Sequence, residues 1–252
     1  VTKLFNTILN HGQFPTNWNV ANQVPVPKKG DPMDCNNYRG ISLTSCLGKA
    51  FTSLLNSRLH EVLERDSKMS IYQTSFRKNH STTDHIFTLR TLINKYVKRN
   101  RKKLYCCLVD LAKAFDSVPH STILTKLLKL GFGGKFYALT KNMLLNAKAC
   151  VKLPQGLTNA FKLEKGIRQG DSLSPPLFNL AIDDITHIAS ETTHPVAVHE
   201  THFNSLLYAD DMALVSETAD GLQTCLNRLG DYCDKWGLRV NTTKTKVMVF
   251  QA

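Results

Sequence analysis

The chain has 252 residues, 42% of them hydrophobic, with seven cysteines and a formal charge of +12 at neutral pH. That length supports a substantial core in one or two closely joined lobes. No apolar run approaches the roughly 20 residues needed to span a bilayer. The odd cysteine number and the lack of C-x-x-C spacing exclude a zinc ribbon or a disulfide-framed secreted fold, leaving reduced intracellular thiols. The cationic excess points to a polyanionic partner, because neutralising phosphates releases counterions.

Val1 opens directly into a helical pattern, Leu4, Phe5, Ile8 and Leu9, with neither initiator Met nor signal-like start, so a larger protein is expected around it. A strand is predicted over Gln23 to Pro27. Ala50, Leu54, Leu55, Leu59, Val62 and Leu63 form a helical stripe, and Ile86, Leu89, Ile93, Tyr96 and Val97 a second. The cations Lys95, Lys98, Arg99, Arg101, Lys102 and Lys103 crowd the following link, read as a solvated loop or a phosphate contact. Leu104 to Asp110 is a strand in which, of the adjacent Cys106 and Cys107, one should point inward. A helix through Ile123, Leu124, Leu127 and Leu128 stops at Gly131; the GFGG there lacks the end of a phosphate loop. Strands follow at Ala149 to Leu153 and Phe161 to Lys165.

Ser174-Pro175-Pro176 starts a helix carrying Leu177, Phe178, Ala181, Ile182 and Ile185. The polar stretch Thr186 to Thr201 reads as a loop or ragged hairpin. Its His194, His199 and Glu200, with His202, match no strong zinc template. Strands His202 to Leu207 and Met212 to Val215 flank a turn, a helix carries Leu222, Cys225, Leu226, Leu229 and Trp236, and Lys246 to Phe250 is the last strand. Strands and helices alternate without βαβ regularity, which favours an α+β fold with an antiparallel sheet backed by helices on one face.

Tyr208-Ala209-Asp210-Asp211 occupies the turn, and Asp110 ends another apolar strand. Two carboxylates about 4 Å apart repel by roughly 4 kcal/mol at an effective dielectric near 20. A third worsens that unless a cation neutralises them. Mg²⁺ suits such a cluster, because it takes one or two carboxylates and leaves positions for substrate phosphates. Alone, an Asp-Asp pair is ordinary turn chemistry; its surroundings give it meaning.

Those surroundings are ordered. Val109-Asp110-Leu111-Ala112-Lys113-Ala114-Phe115-Asp116 is followed by Gly166-Ile167-Arg168-Gln169-Gly170-Asp171-Ser172-Leu173-Ser174-Pro175. The Asp-Asp turn comes next, then Trp236-Gly237-Leu238-Arg239-Val240-Asn241 running to Lys244 and Lys246. This series resembles palm motifs A to D of reverse transcriptases. Trp18, Val24-Pro25-Val26-Pro27-Lys28-Lys29-Gly30-Asp31, Asn37-Tyr38-Arg39-Gly40, Gln73-Thr74-Ser75-Phe76-Arg77-Lys78 and Ser81-Thr82-Thr83-Asp84 narrow it. They resemble the fingers of LINE-type, non-long-terminal-repeat retrotransposon enzymes. Ser75 stands where that family usually has Gly, and Gly40 where it often has Pro.

The resemblance implies an RNA-directed DNA polymerase core: fingers over residues 1–103 and palm over 104–252, with the thumb missing. By the same resemblance Asp110, Asp210 and Asp211 hold two Mg²⁺ ions, for which Mn²⁺ is a possible substitute. Phe115 underlies the incoming sugar, and Gln169 and Gly170 line nucleotide and template. Arg77 clamps the triphosphate and Lys244 gives a proton to pyrophosphate, while Lys28 and Arg39 are weaker phosphate contacts. The implied partners are an RNA template, a DNA primer and dNTPs. The implied setting is a larger polyprotein with an endonuclease domain and no membrane part, working inside the cell and in the nucleus. Three alternatives stay open: a viral RNA-copying polymerase, a group II intron-type enzyme, and a catalytically silent RNA-binding remnant. Ala209 and Phe115 weigh against the first, the Lys28 and Asn37 motifs against the second, and the intact carboxylates against the third.

Overall fold

The computed structural model describes residues 1–190 and 196–252, with side chains over 1–187 and 196–252. In chain order the first half carries α1 (Thr2–His11), β1 (Val20–Pro27), β2 (Tyr38–Leu43), α2 (Cys46–Arg65), α3 (Thr82–Ile93) and β3 (Leu104–Asp110). Next come α4 (Ala114–Ser117), α5 (His120–Lys129), α6 (Gly134–Leu145), β4 (Lys148–Leu153), β5 (Gly156–Leu157) and β6 (Phe161–Lys162). The remainder is α7 (Ser174–Ile182), α8 (Ile185–Ser190), β7 (Ala197–Val198), β8 (Thr201–His202), β9 (Ser205–Tyr208), β10 (Asp211–Ser216), α9 (Ala219–Trp236) and β11 (Lys246–Phe250). Two compact units share these elements: Val1–Val62 with Val118–Phe178, and Leu63–Ser117 with Asn179–Ala252. They interleave along the chain, whereas a fingers–palm division cuts it once; compactness and that functional division are different partitions.

The second unit is built on a four-stranded sheet in the order β11-β3-β10-β9, antiparallel throughout. One face carries Leu104, Cys106 and Val215, packed with Leu92, Tyr96 and Val97 from α3 and the π-helical turn Asn94–Arg99. α9 contacts β3 and β10 and buries Leu222, Cys225, Leu229, Tyr232 and Cys233. The antiparallel sheet is backed by helices as expected, and β3 within it is buried on both of its faces from Leu104 to Cys107 apart from the partly exposed Tyr105. Cys106 and Cys107 are accordingly both buried, and burial pushes the Cys106 thiol up to about 12. The sequence shows the reason, since a strand buried on both faces reads as a near-continuous apolar run. α3 starts with Asp84 reaching back to the Ser81 N–H at 2.9 Å, and α9 with Thr218 accepting from Gly221 N at 3.0 Å.

The first unit holds a mixed sheet, β2-β1-β4-β5, with β6 also on β4. β1 runs antiparallel to β2 and parallel to β4, Val20 pairing with Lys148 and Gln23 with Val151. Three elements here depart from expectation. β2 is a strand despite its Arg39-Gly40 step, because β1 supplies a partner for every residue from Tyr38 to Leu43. The predicted strand from Phe161 keeps only Phe161 and Lys162. α6 begins at Gly134, immediately beyond glycines that read as punctuation, and it buries Leu139, Thr140, Met143 and Leu144. The basic link is helical through Arg99, with Lys95 Nζ donating to Ala197 O at 2.7 Å and Lys102 3.4 Å from Glu217. His199 lies in the exposed turn of the β7–β8 hairpin, and His202 is exposed on β8; His194 lies outside the described residues.

Candidate active site

Strand register sets the geometry. Asp211 is paired directly with Asp110 across the β3–β10 ladder. Directly opposed residues share a face, with Cβ atoms about 5 Å apart. Like charges placed so are destabilising, and the two Asp stand where water can screen them. Exposure along this face of β3 rises toward them: Leu104 and Cys106 are fully buried, Leu108 is 43% exposed and the Asp110 side chain 36%. Asp211 and Lys246, on the same open end, are also exposed. The helical cover that closes the sheet at Leu104 therefore leaves its carboxylate end open.

Asp210 reaches this end through the β9–β10 hairpin. Tyr208 pairs with Asp211, so Ala209 and Asp210 form a two-residue loop. Such loops need a positive φ, usually supplied by Gly, Asn or Asp. Ala209 adopts φ 55° instead, a conformation costing a non-glycine residue roughly 1–2 kcal/mol. The surroundings hold it there. Gln73 is fully buried, and its Oε1 accepts from Ala209 N at 3.1 Å, Ser75 N at 3.2 Å and Ser75 Oγ at 2.9 Å. The segment carrying it runs along β9, with Leu207 N donating to Tyr72 O at 2.8 Å and Thr74 N to Leu207 O at 3.0 Å. The sequence alone marks Gln73 only as part of a motif, with no task of its own. The available signal was a polar triplet, Gln73-Thr74-Ser75, with neither helical nor strand periodicity.

Lys244 belongs to a strap across the end of β3. Asn241 N donates to Asp110 O at 2.8 Å and Asp110 N to Thr245 Oγ1 at 3.3 Å, so both backbone groups of Asp110 are satisfied there. The strap places Lys244 Nζ 4.0 Å from Asp110 Oδ1, with Lys244 69% exposed. An exposed pair at that distance contributes at most about 1 kcal/mol, so it breaks easily. Phe115 lies on α4, half-buried between the buried Ala114 and Val118.

Arg77 is placed differently from expectation. Its Nε and Nη2 donate to the Glu64 carboxylate, each at 2.8 Å, and Nη1 to Ser70 O at 2.9 Å and Gln73 O at 3.0 Å. Its side chain is 10% exposed. With four of its five N–H donors so engaged, the guanidinium pins Ser70 to Gln73 and holds Glu64. Asp183 grips the same segment, accepting from Ser70 N at 2.9 Å and 3.2 Å. Burial first, then the Asp184 charge, pushes its carboxyl up to about 6.

Gln169 and Gly170 lie in the first unit, where Ser42 N donates to Gln169 O at 2.7 Å. Gly170 has φ 118°, and a Cβ there would meet Ser42 O at 2.7 Å. A glycine was expected where backbone approaches a ligand; the approach observed is to β2. Beside it, Arg168 is buried and donates to the Asn19 carbonyl, and Asp171 is buried and accepts from Leu173 N at 2.9 Å. Arg39 is exposed on β2, and Lys28 Nζ lies 3.5 Å from Asn36 O.

Among the described residues no group of three His, Cys, Asp or Glu side chains is gathered so as to hold a metal ion by protein ligands alone, Asp110, Asp210 and Asp211 included. The donor set fits an open site instead: two opposed carboxylates, a third in the adjoining turn and an ammonium group beside them where a cation is favoured. A hard divalent ion that completes its shell with water and phosphate suits that arrangement.

A family model described as reverse transcriptase (RNA-dependent DNA polymerase) matches residues 26–251. A probable RNA-directed DNA polymerase from transposon BS of Drosophila melanogaster is 30% identical over 96% of this chain and 27% of its own length. A Pol polyprotein from a type-1 retrotransposable element R2 of Nasonia vitripennis is 29% identical over 97% of this chain and 23% of its own. The mobile element jockey polymerase of Drosophila melanogaster is 28% identical over 98% and 27%. The chain thus spans about a quarter of these relatives. Among solved structures, apo telomerase of Candida tropicalis truncated from its C-terminal domain shares the fold at TM-score 0.69 and 15% identity, over 99% of this chain and 55% of that one. Its complex with a telomeric RNA fragment gives 0.67 and 14%, over 100% and 44%. The chain belongs to the reverse transcriptase family, with polymerases of LINE-type retrotransposons as its relatives.

Proposed function

We propose that this chain is the polymerising core of an RNA-directed DNA polymerase, joining deoxynucleotides to a primer 3′-hydroxyl on an RNA template. The observation that carries the reading is Asp110 paired with Asp211 at the open end of the four-stranded antiparallel sheet. Asp110, Asp210 and Asp211 would hold Mg²⁺. Bound there, two such ions would lower the pKa of the 3′-hydroxyl and neutralise charge on the transferred phosphate.

The protein's own groups prepare that chemistry. The β3–β10 register opposes two carboxylates before any substrate arrives. Lys244, held beside Asp110 by a weak exposed pair, is free to turn its ammonium toward the departing pyrophosphate and donate a proton. Phe115 offers bulk and no hydrogen bond, which disfavours a 2′-hydroxyl by overlap. The roles of Gln169 and Gly170, lining nucleotide and template, rest on the motif match. The +12 charge supports binding to template and primer phosphates. Relatives described as Pol polyproteins support a larger parent chain, for which an endonuclease domain and action in the nucleus are part of the same proposal.

Primer extension on an RNA template with Mg²⁺, comparing deoxy- and ribonucleotides, tests the reading. Deoxynucleotide-specific extension is expected. Phe115→Val should admit ribonucleotides far better, since misplacing reacting atoms by about 1 Å costs on the order of a hundredfold. Equal use of both sugars by the unaltered protein would favour an RNA-copying polymerase, and binding without extension a silent remnant.

A further inference from the structure

We infer that Gln73 is the positioning residue of the carboxylate turn, and that its amide oxygen sets how tightly the turn holds a divalent cation. The inference rests on the reading of Asp210 and Asp211 as metal holders. It starts from an energetic imbalance. Ala209 holds φ 55° in a loop that usually takes glycine or another residue tolerant of positive φ, and Asp210 and Asp211 follow it directly, so their directions depend on that one torsion. Within the second unit, the Ala209 N–H finds its partner in Gln73 Oε1 at 3.1 Å.

Two backbone donors converge on that oxygen, from Ala209 N and Ser75 N, with the single Ser75 hydroxyl proton shared between it and Asn179 Oδ1; this fixes the amide orientation, because a flipped amide would set its NH₂ against two N–H groups. The Nε2 is buried and has no hydrogen-bond partner among the described residues. Leaving such a donor unpaired costs of order 1–3 kcal/mol. An apolar side chain of the same length would avoid that cost but would leave the Ala209 and Ser75 N–H groups without this acceptor.

Gln73 cannot follow the turn if the turn relaxes, because its own segment is tied down. Asn179 Nδ2 donates to Ser75 O at 2.8 Å, Ser75 Oγ lies 3.0 Å from Asn179 Oδ1, and Arg77 Nη1 donates to Gln73 O at 3.0 Å. Ser75, which replaces the glycine usual in the resembled family, adds a hydroxyl to this clamp. The fixed oxygen therefore holds Ala209 in its positive-φ state and presents the two following carboxylates in one arrangement.

The test compares the unaltered protein with Gln73→Met, Ala209→Gly and the double variant. Hydrogen exchange at the Ala209 amide, read without substrate, should quicken about tenfold in Gln73→Met, as for loss of one hydrogen bond. Mn²⁺ binding, followed by electron paramagnetic resonance without nucleotide, should weaken about fivefold. The Mg²⁺ concentration for half-maximal extension should rise in parallel while the KM for template–primer stays within about twofold. Glycine takes positive φ at no steric cost, so in the Ala209→Gly background the effect of Gln73→Met on Mn²⁺ affinity should shrink to less than half. If Gln73→Met does not fold, Gln73→Glu, which keeps an acceptor, takes its place. It should then retain slow Ala209 exchange. Unchanged exchange and unchanged Mn²⁺ affinity in Gln73→Met, or an effect undiminished beside Ala209→Gly, would overturn the inference. Mn²⁺ binding that survives loss of Asp210 and Asp211 would instead overturn the metal reading beneath it.

Discussion

Two motif-bearing turns, Gly166 to Ser174 and Tyr208 to Asp211, are equally rich in polar and charged residues but use them in opposite ways. In the first, Arg168 and Asp171 are buried, and burial pushes the arginine down and the aspartate up from their ordinary values. The Gly170 φ of 118° serves the close approach to Ser42. In the second, Asp211 is exposed, the Asp110 side chain is 36% exposed, and a non-glycine residue is held at positive φ by a buried amide. The first turn spends its charges on the fold. The second keeps like charges together in water, a local cost with no return in folding. Like charges gathered at an exposed end are thus a better mark of a site than charge or motif membership.

The largest effect should follow Asp210→Asn, which breaks the comparison if the second turn is merely structural. Primer extension should fall by roughly a thousandfold, while the melting temperature in metal-free buffer holds or rises as repulsion is removed. Near-normal extension would end the assignment of the turn. Gly170→Ala should do the reverse, costing about 2–4 kcal/mol of stability in urea unfolding, because the added Cβ meets Ser42 O at 2.7 Å under an unfavourable φ. A stable variant with a raised KM for dNTPs would return that glycine to the ligand.

Arg77→Ala sharpens the boundary between the two uses. It should lower stability by about 2–3 kcal/mol, since Glu64 and two backbone carbonyls lose their donors. The KM for dNTPs should move by less than about twofold at a temperature where the variant is folded. A tenfold rise with unaltered melting would restore the clamp on triphosphate. The smallest effect concerns Asp183, pushed up to about 6 by burial. Below the ordinary carboxylate range both folded and unfolded chains hold the proton. As pH rises from about 4 to 6 the unfolded chain releases it first, so stability falls, by up to about 3 kcal/mol once Asp183 is charged in both states. Asp183→Asn should therefore raise the melting temperature at pH 8 and lose that advantage at pH 4. Equal gains at both values would show that another group controls the change.

Much of the second unit was legible because its elements carry their own period. β3 and β11 have the bounds expected of them, and the stripe from Leu222 to Trp236 is α9. The carboxylates were legible too, since an Asp ending one apolar strand and a pair between two others leave few arrangements other than a shared edge. The Phe161 strand shrank, and β2 and α6 escaped notice, because β2 depends on pairing with β1 and α6 begins in glycines. For Arg77 and Gly170 the residue type suits a ligand contact and a contact within the fold equally well, and the sequence carries no trace of the neighbours they meet, Glu64 and Ser42.

What the sequence determined by itself was therefore local: which segments are helical or extended, which acidic residues end them, and which family they belong to. Periodicity and motif order lie within a few residues and need no partner to be read. The tertiary structure alone decided that Leu104 and Cys106 pack under α3, that Asp110 faces Asp211, that Arg77 binds Glu64 and that Gln73 grips Ala209. Each of those pairings joins residues far apart in the chain. A donor leaves no local trace of which distant acceptor will take it, and a strand leaves none of which register will oppose two charges.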